Sequence, residues 1–117
     1  LRGGIGDDNM RGGSGDDILF LDAGDDIARG NGGSDVFVRG IDGDMDRIIG
    51  FANNTDTLDL DLDAIATALG LRSTSVSALY GSGAVENNDG DVVMTFGRGD
   101  QLVIEGISMG ALENDII

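Results

Sequence analysis

Apolar residues return at an interval of nine along the first third of the chain, at Met10, Leu19, Ala28 and Phe37. Each stands in the middle of a three-residue tail: Asn9-Met10-Arg11, Ile18-Leu19-Phe20, Ile27-Ala28-Arg29 and Val36-Phe37-Val38. Side chains alternate along an extended chain, so each tail reads as a short strand that turns its middle residue inward. The flanking positions are of two kinds. In the second and fourth tails they are all apolar (Ile18, Phe20, Val36, Val38), whereas the first and third carry Asn9, Arg11, Ile27 and Arg29, with Arg47 at the next equivalent place. An exposed apolar ladder invites association. The even strands are therefore expected to lie beneath the C-terminal half of the chain, and the odd strands to face water.

Between the tails lie six-residue turns with glycine always fourth (Gly6, Gly15, Gly24, Gly33) and aspartate always sixth (Asp8, Asp17, Asp26, Asp35). Glycine also recurs at the first and second places, where positive φ and close backbone approach are tolerated. The third repeat has Leu21-Asp22 there, and the fourth has Asn31 in second place, a residue that accepts left-handed φ better than most. The fifth, Arg39-Gly40-Ile41-Asp42-Gly43-Asp44-Met45-Asp46, keeps Asp44 in register but places Asp46 where the inward residue belongs. Either the coil ends at that point or Asp46 turns outward to close a last site.

Beyond residue 47 the period is lost. Leu58-Asp59-Leu60-Asp61-Leu62-Asp63 alternates as a half-buried strand does. Asp63 then fits the N-cap of a helix over 64–69 closed by Gly70, and another helical turn or two runs from Ser73 or Thr74 to Leu79. Val92-Val93-Met94-Thr95-Phe96 and Gln101-Leu102-Val103-Ile104 predict a hairpin across Gly97-Arg98-Gly99-Asp100. The chain closes with Leu112, Ile116 and Ile117 around Glu113 and Asp115.

Charge narrows the chemistry. The net charge is −15, all seven basic residues are arginine, and all the acids but Glu86, Glu105 and Glu113 are aspartate. Nucleic acid and anionic membrane surfaces, which need a basic footprint, are poor partners for such a chain. With no Cys there are neither disulfides nor thiolate ligands, and with no His, Cys or Lys the common general bases and covalent nucleophiles are missing, so no catalysis is expected. No apolar run approaches the roughly 20 residues of a membrane span. A 40% hydrophobic content with apolar positions in register argues for a folded chain. Aspartates stacked about 4.8 Å apart in neighbouring parallel layers repel by roughly 3 kcal/mol per pair at an effective dielectric near 20. Bound cations reverse that sign, and hard oxygens without nitrogen or sulfur competitors suit Ca²⁺. The Asp59-x-Asp61-x-Asp63 string is no EF-hand loop, because Ala64 and Gly70 stand where that loop needs glycine and a bidentate glutamate.

The nonapeptide resembles the RTX, or haemolysin-type, calcium-binding repeat. That resemblance implies a mainly all-β fold: a parallel β-roll in which two repeats complete a coil of 18 residues, followed by a capping region with short helices and a β-hairpin. It divides the chain at 1–47 for the roll and 48–117 for the cap and secretion region, packed together as one domain. It also implies several Ca²⁺ ions between stacked turns, held by the sixth-position carboxylates Asp8/Asp26, Asp17/Asp35 and Asp26/Asp44, with Asp46 a further candidate. Backbone carbonyls of Gly3, Ile5, Gly12, Ser14, Leu21, Ala23, Gly30 and Gly32 would complete the shells. The stretch from Asp46 to Leu60 is similar to the segment after the last repeat in secreted RTX proteins, which usually have aspartate where Gly50 stands. An acidic residue before terminal aliphatics is similar to the uncleaved signals read by the type I secretion apparatus. The expectation is a calcium-binding module that folds outside the cell as the C-terminal secretion and stability element of a larger exported bacterial protein, its start at Leu1 falling inside a repeat. Two other readings are an adhesive or acidic-polysaccharide-binding module that uses Arg11 and Arg29, and a structural cap of a long repeat array.

Overall fold

The computed structural model describes residues 1–52, 54–97 and 99–116, so Arg98 of the expected hairpin turn and the terminal Ile117 lie outside the described residues. Among the described residues nine strands and three short helices follow in chain order: β1 (Asn9–Gly13), β2 (Ile18–Leu21), β3 (Ile27–Asn31), β4 (Val36–Arg39), β5 (Met45–Ile48), β6 (Thr57–Leu60), α1 (Leu62–Leu69), α2 (Val76–Gly81), β7 (Val85–Asn88), β8 (Asp91–Gly97), β9 (Asp100–Ile104) and α3 (Met109–Glu113). The first six strands alternate between two sheets. One has the order β1-β3-β5-β9-β8-β7 and the other β2-β4-β6.

All neighbours within the coiled part are parallel, and the nine-residue period sets the register. Met10 pairs with Ala28, and Leu19 with Phe37, a spacing of two repeats. These middle residues are buried between the sheets together with Ile48 and Leu58, as period-two alternation requires. Parallel stacking runs past residue 47, because β5 and β6 form a third coil on β3 and β4. The position before Gly12 and Gly30, by contrast, is occupied by Arg11 and Arg29, which pair with each other, while Arg47 lies opposite Ile27. Two inserted residues in the fifth turn cause that shift, so the expected three-arginine ladder has two members. Arg47 instead pairs with Glu105.

The C-terminal half does not cover the outer face of the even sheet. It continues the roll along its stacking axis. β9 adds to β5 in parallel, β8 and β7 follow in antiparallel, and Ile116 bridges Leu58 at the edge of β6. The physical reason is the backbone. An open parallel edge presents a row of unpaired N–H and C=O groups, whose cost exceeds that of a few half-exposed aliphatic side chains. Phe20, Val36 and Val38 thus stay half-buried, Ile18 is exposed, and the Arg2 guanidinium stacks over the Phe20 ring at 4.6 Å.

Helix α1 starts two residues before the expected boundary. Asp61, not Asp63, is its N-cap, its carboxylate accepting the Ala64 N–H at 3.1 Å, and Gly70 closes it in the left-handed region. Ser75 caps α2 and Ser108 caps α3. The β8–β9 hairpin forms as the alternation requires, whereas β7 and α3 had no strong pattern to announce them. Tyr80 ties the helices together by donating its hydroxyl to the Met109 carbonyl at 2.8 Å. Leu58, Ile65, Leu79, Met94, Leu102, Ile104 and Leu112 extend the roll's core without a break into the C-terminal half.

Candidate metal centre

The turns line two edges of the roll. Those before β1, β3 and β5 stack on one edge, and those before β2, β4 and β6 on the other. Along each edge the sixth-position carboxylates link successive layers: Asp26 Oδ1 accepts the Asp8 N–H at 2.9 Å and Asp35 Oδ1 the Asp17 N–H at 3.0 Å. The third coil repeats the link with Asp46, which accepts the Asp26 N–H at 2.9 Å, and with Asp56, which accepts the Asp35 N–H at 2.9 Å. Asp44 is therefore not the partner of Asp26. It sits two residues earlier, where its Oδ2 accepts the Gly24 N–H at 2.8 Å. Neighbouring fifth-position aspartates form a second ladder, Asp7 to the Asp25 N–H, Asp25 to the Met45 N–H and Asp16 to the Ser34 N–H.

In the first two coils one oxygen of each sixth-position carboxylate is left over. The Oδ2 atoms of Asp8, Asp17, Asp26 and Asp35 are buried without a hydrogen-bond partner among the described residues. A buried charged oxygen in that condition costs several kcal/mol unless a cation meets it. The glycines show where such a cation would sit. A Cβ on Gly3 would lie 3.3 Å from Asp8 Oδ2 and 3.2 Å from Asp26 Oδ2, so both oxygens face one small space. On Gly12 it would meet Asp17 Oδ2 at 2.6 Å and the Gly30 carbonyl at 2.8 Å, and on Gly30 it would collide with Asp35 Oδ2. First-position glycine thus keeps the cradle open. Fourth-position glycine has a different cause: Gly24 and Gly33 have φ of 116° and 107° and lie against the carbonyls of Gly6 and Gly15 in the layer above.

The remaining candidate carbonyls fall in the same turns. Ile5 bridges Ala23, whose carbonyl already accepts the Gly6 N–H, and Gly32 donates to the Gly13 carbonyl beside the exposed Ser14. Leu21 buries its side chain in the core, and Asn31 takes φ of 72° as its place requires. Among the described residues no group of three or more acidic side chains is placed to hold a metal ion by itself. The donors come as pairs of carboxylates with backbone carbonyls, a set of hard oxygens that fits Ca²⁺.

The third layer is built differently. Arg39, at the first position of its repeat, is fully buried and donates Nε to Asp46 Oδ2 at 2.8 Å and Nη1 to Asp100 Oδ1 at 2.5 Å. The same guanidinium reaches the carbonyls of Gly40, Asp44 and Gln101 at 2.7, 2.9 and 3.1 Å. On the other edge Asp56 is satisfied by the Asp35 and Ala52 N–H groups.

Burial raises the carboxyl groups of Asp26 and Asp35 above the usual range, reinforced by neighbouring aspartates and opposed by the N–H groups of Asp8 and Asp17. Asp46 is pushed up to about 6, burial outweighing the Asp26 N–H and Arg39. A group raised above an unfolded value near 4 contributes stability that is present below about pH 4 and lost as pH rises through the folded value. In chelator, the melting temperature is expected to fall by several degrees between about pH 5 and pH 7. In saturating calcium the trend should reverse, since protons then compete with the ion. Melting curves at both pH values, with EDTA and with CaCl₂, check both signs.

Parallel coils whose stacked turns present paired carboxylates form a β-roll. Residues 2–37 match the model of the RTX calcium-binding nonapeptide repeat in four copies, and that segment of the chain is an RTX repeat region. The fold is similar to the crystal structure of the extracellular lipase LipA from Serratia marcescens, with a TM-score of 0.57 and 19% identity over 98% of this chain and 20% of that one. The chain thus spans about a fifth of that lipase's length. No curated protein matches it.

Proposed function

We propose that this chain is a calcium-dependent folding module that binds at least two ions, one between Asp8 and Asp26 and one between Asp17 and Asp35. The carrying observation is the set of four buried Oδ2 atoms without partners, aimed into cradles that first-position glycines keep open. Carbonyls of the same turns, Gly30 beside Asp17 foremost, supply the remaining oxygens. The ion contributes charge neutralisation between layers and no chemistry on a substrate. Asp26 and Asp35 also position the turns, through Oδ1, and the first-position glycines leave the cradle open.

With a net charge of −15, the chain at low calcium carries unneutralised aspartates along both edges and resists compaction. That state suits passage through an exporter, and millimolar calcium outside the cell would fill sites with Kd of about 10⁻⁴–10⁻³ M. The module therefore serves a larger exported protein as a secretion and stability element, without catalysis of its own. Among the described residues no helix is long and apolar enough to cross a membrane.

Calorimetric titration of the chelator-treated chain with CaCl₂ tests the reading. At least two equivalents are expected, and Asp17→Asn should remove one while sparing the site at Asp8 and Asp26. A titration without heat, and with unchanged circular dichroism, overturns it.

A further inference from the structure

The carboxylates of the first edge form a column of Asp8, Asp26 and Asp46; Asp100, two residues before the Leu102 that pairs with Asp46, opens β9 on the layer stacked against β5 and faces the end of that column. Between Asp46 and Asp100 stands a cation that belongs to the chain. Leu21 and Arg39 are neighbours in the even sheet, both at the first position of a repeat and both turned inward. In the first, second and fourth repeats that place is glycine; a Cβ on Gly12 or Gly30 would run into the repeat's own sixth-position carboxylate, and one on Gly3 would lie 3.3 Å from Asp8 Oδ2. In the fifth repeat the side chain does run there. Its guanidinium meets Asp46 Oδ2, while the four corresponding oxygens of the upstream turns meet nothing.

The edge of that guanidinium meets oxygen, from the carboxylates of Asp46 and Asp100, Asp42 Oδ1 at 3.4 Å, and the carbonyls of Gly40, Asp44 and Gln101, while its face lies over the Phe96 ring at 5.6 Å. Six hard oxygens from carboxylates and carbonyls is the kind of donor set a calcium ion takes. Asp100 Oδ2 meanwhile accepts the N–H groups of Asp42 and Gly43 at 3.0 Å each, which fixes the fifth turn to β9. All of this lies at the seam where the roll joins the C-terminal half.

We propose that Arg39 is a tethered substitute for a calcium ion, closing the last site of the column so that the seam between roll and cap is held without metal. This rests on reading the upstream turns as calcium sites. A guanidinium is charged at every accessible pH and never dissociates from the chain. The third coil and the cap therefore persist when calcium is withdrawn, and present a preformed edge on which the two upstream coils stack once ions arrive.

Hydrogen exchange on the full chain, in calcium and in EDTA, tests this directly. In EDTA the amides of Ile27 and Val36, which bond the carbonyls of Asp8 and Asp17, should lose protection by about a hundredfold or more, while Leu102 and Ile104 change by less than about tenfold. Loss of protection at Leu102 and Ile104 together with the upstream turns overturns the proposal and leaves the calcium reading intact. No change anywhere on chelation overturns both. Arg39→Gly, which restores the first-position glycine, should bind one more calcium equivalent than the wild type and make protection of Leu102 calcium-dependent. An Arg39→Gly chain that binds no extra ion, or stays unfolded at saturating calcium, overturns the substitution of guanidinium for metal.

Discussion

Chelation at neutral pH is expected to melt the first two coils. Each stacked pair of aspartates repels by roughly 3 kcal/mol at layer spacing, and the four partnerless Oδ2 atoms add the cost of burying charge. Two ions at about ten times their Kd contribute roughly 3 kcal/mol together. A domain of this size has a net stability of only about 5–15 kcal/mol, part of which the third coil and cap hold separately. Far-ultraviolet circular dichroism should therefore lose most of the strand signal of residues 1–38 in EDTA and regain it with excess CaCl₂. MgCl₂ should restore much less, because Mg²⁺ demands a tighter octahedral shell and sheds water reluctantly. Spectra that superimpose with and without EDTA would contradict the whole account.

The strand that carries each site was legible in the sequence because the chain repeats without insertion as far as Phe37. Strict period nine identified Asp8, Asp17, Asp26 and Asp35, their inward partners Met10, Leu19, Ala28 and Phe37, and the strain-tolerant places filled by Gly24, Gly33 and Asn31. It failed in the third coil, where the layers are 20 and 21 residues long instead of 18. Counting by nine then selects Asp44 and passes over Asp56. A local signal survives the insertions: in every layer the linking aspartate stands two residues before a buried apolar residue, Asp46 before Ile48 and Asp56 before Leu58 as Asp8 before Met10. That spacing follows from the turn geometry itself, so it outlasts the period.

The cap was less legible for a different reason. Which face a C-terminal segment covers depends on the relative cost of exposed apolar side chains and of an open backbone edge. Composition shows only the first. Ile18, Phe20, Val36 and Val38 suggested a covered face, yet β9 and Ile116 complete the sheet edges instead. Arg39 was hidden by the same logic, since its partner Asp100 lies 61 residues away and only the pairing of β5 with β9 brings them together.

Phe37→Ala is expected to cost about as much as calcium supplies. The ring is fully buried between the sheets and packs against Phe51 with centroids 5.8 Å apart. Such truncations cost about 3–5 kcal/mol, because the stacked layers on either side cannot collapse into the cavity. In an ordinary core protein that loss appears as a lower melting temperature. Here it should appear chiefly as a calcium shift. If two sites fill together, each tenfold rise in calcium returns about 1.4 kcal/mol per site, so a loss of about 4 kcal/mol raises the calcium midpoint of folding by roughly thirtyfold. Leu79→Ala, buried on α2 within the C-terminal half, should lower the stability of the metal-free cap with a smaller shift in that midpoint. Calcium titrations of the two variants, followed by circular dichroism, separate a roll whose core is coupled to its ions from one whose ions only decorate a finished fold: equal midpoints for Phe37→Ala and the wild type would show the latter.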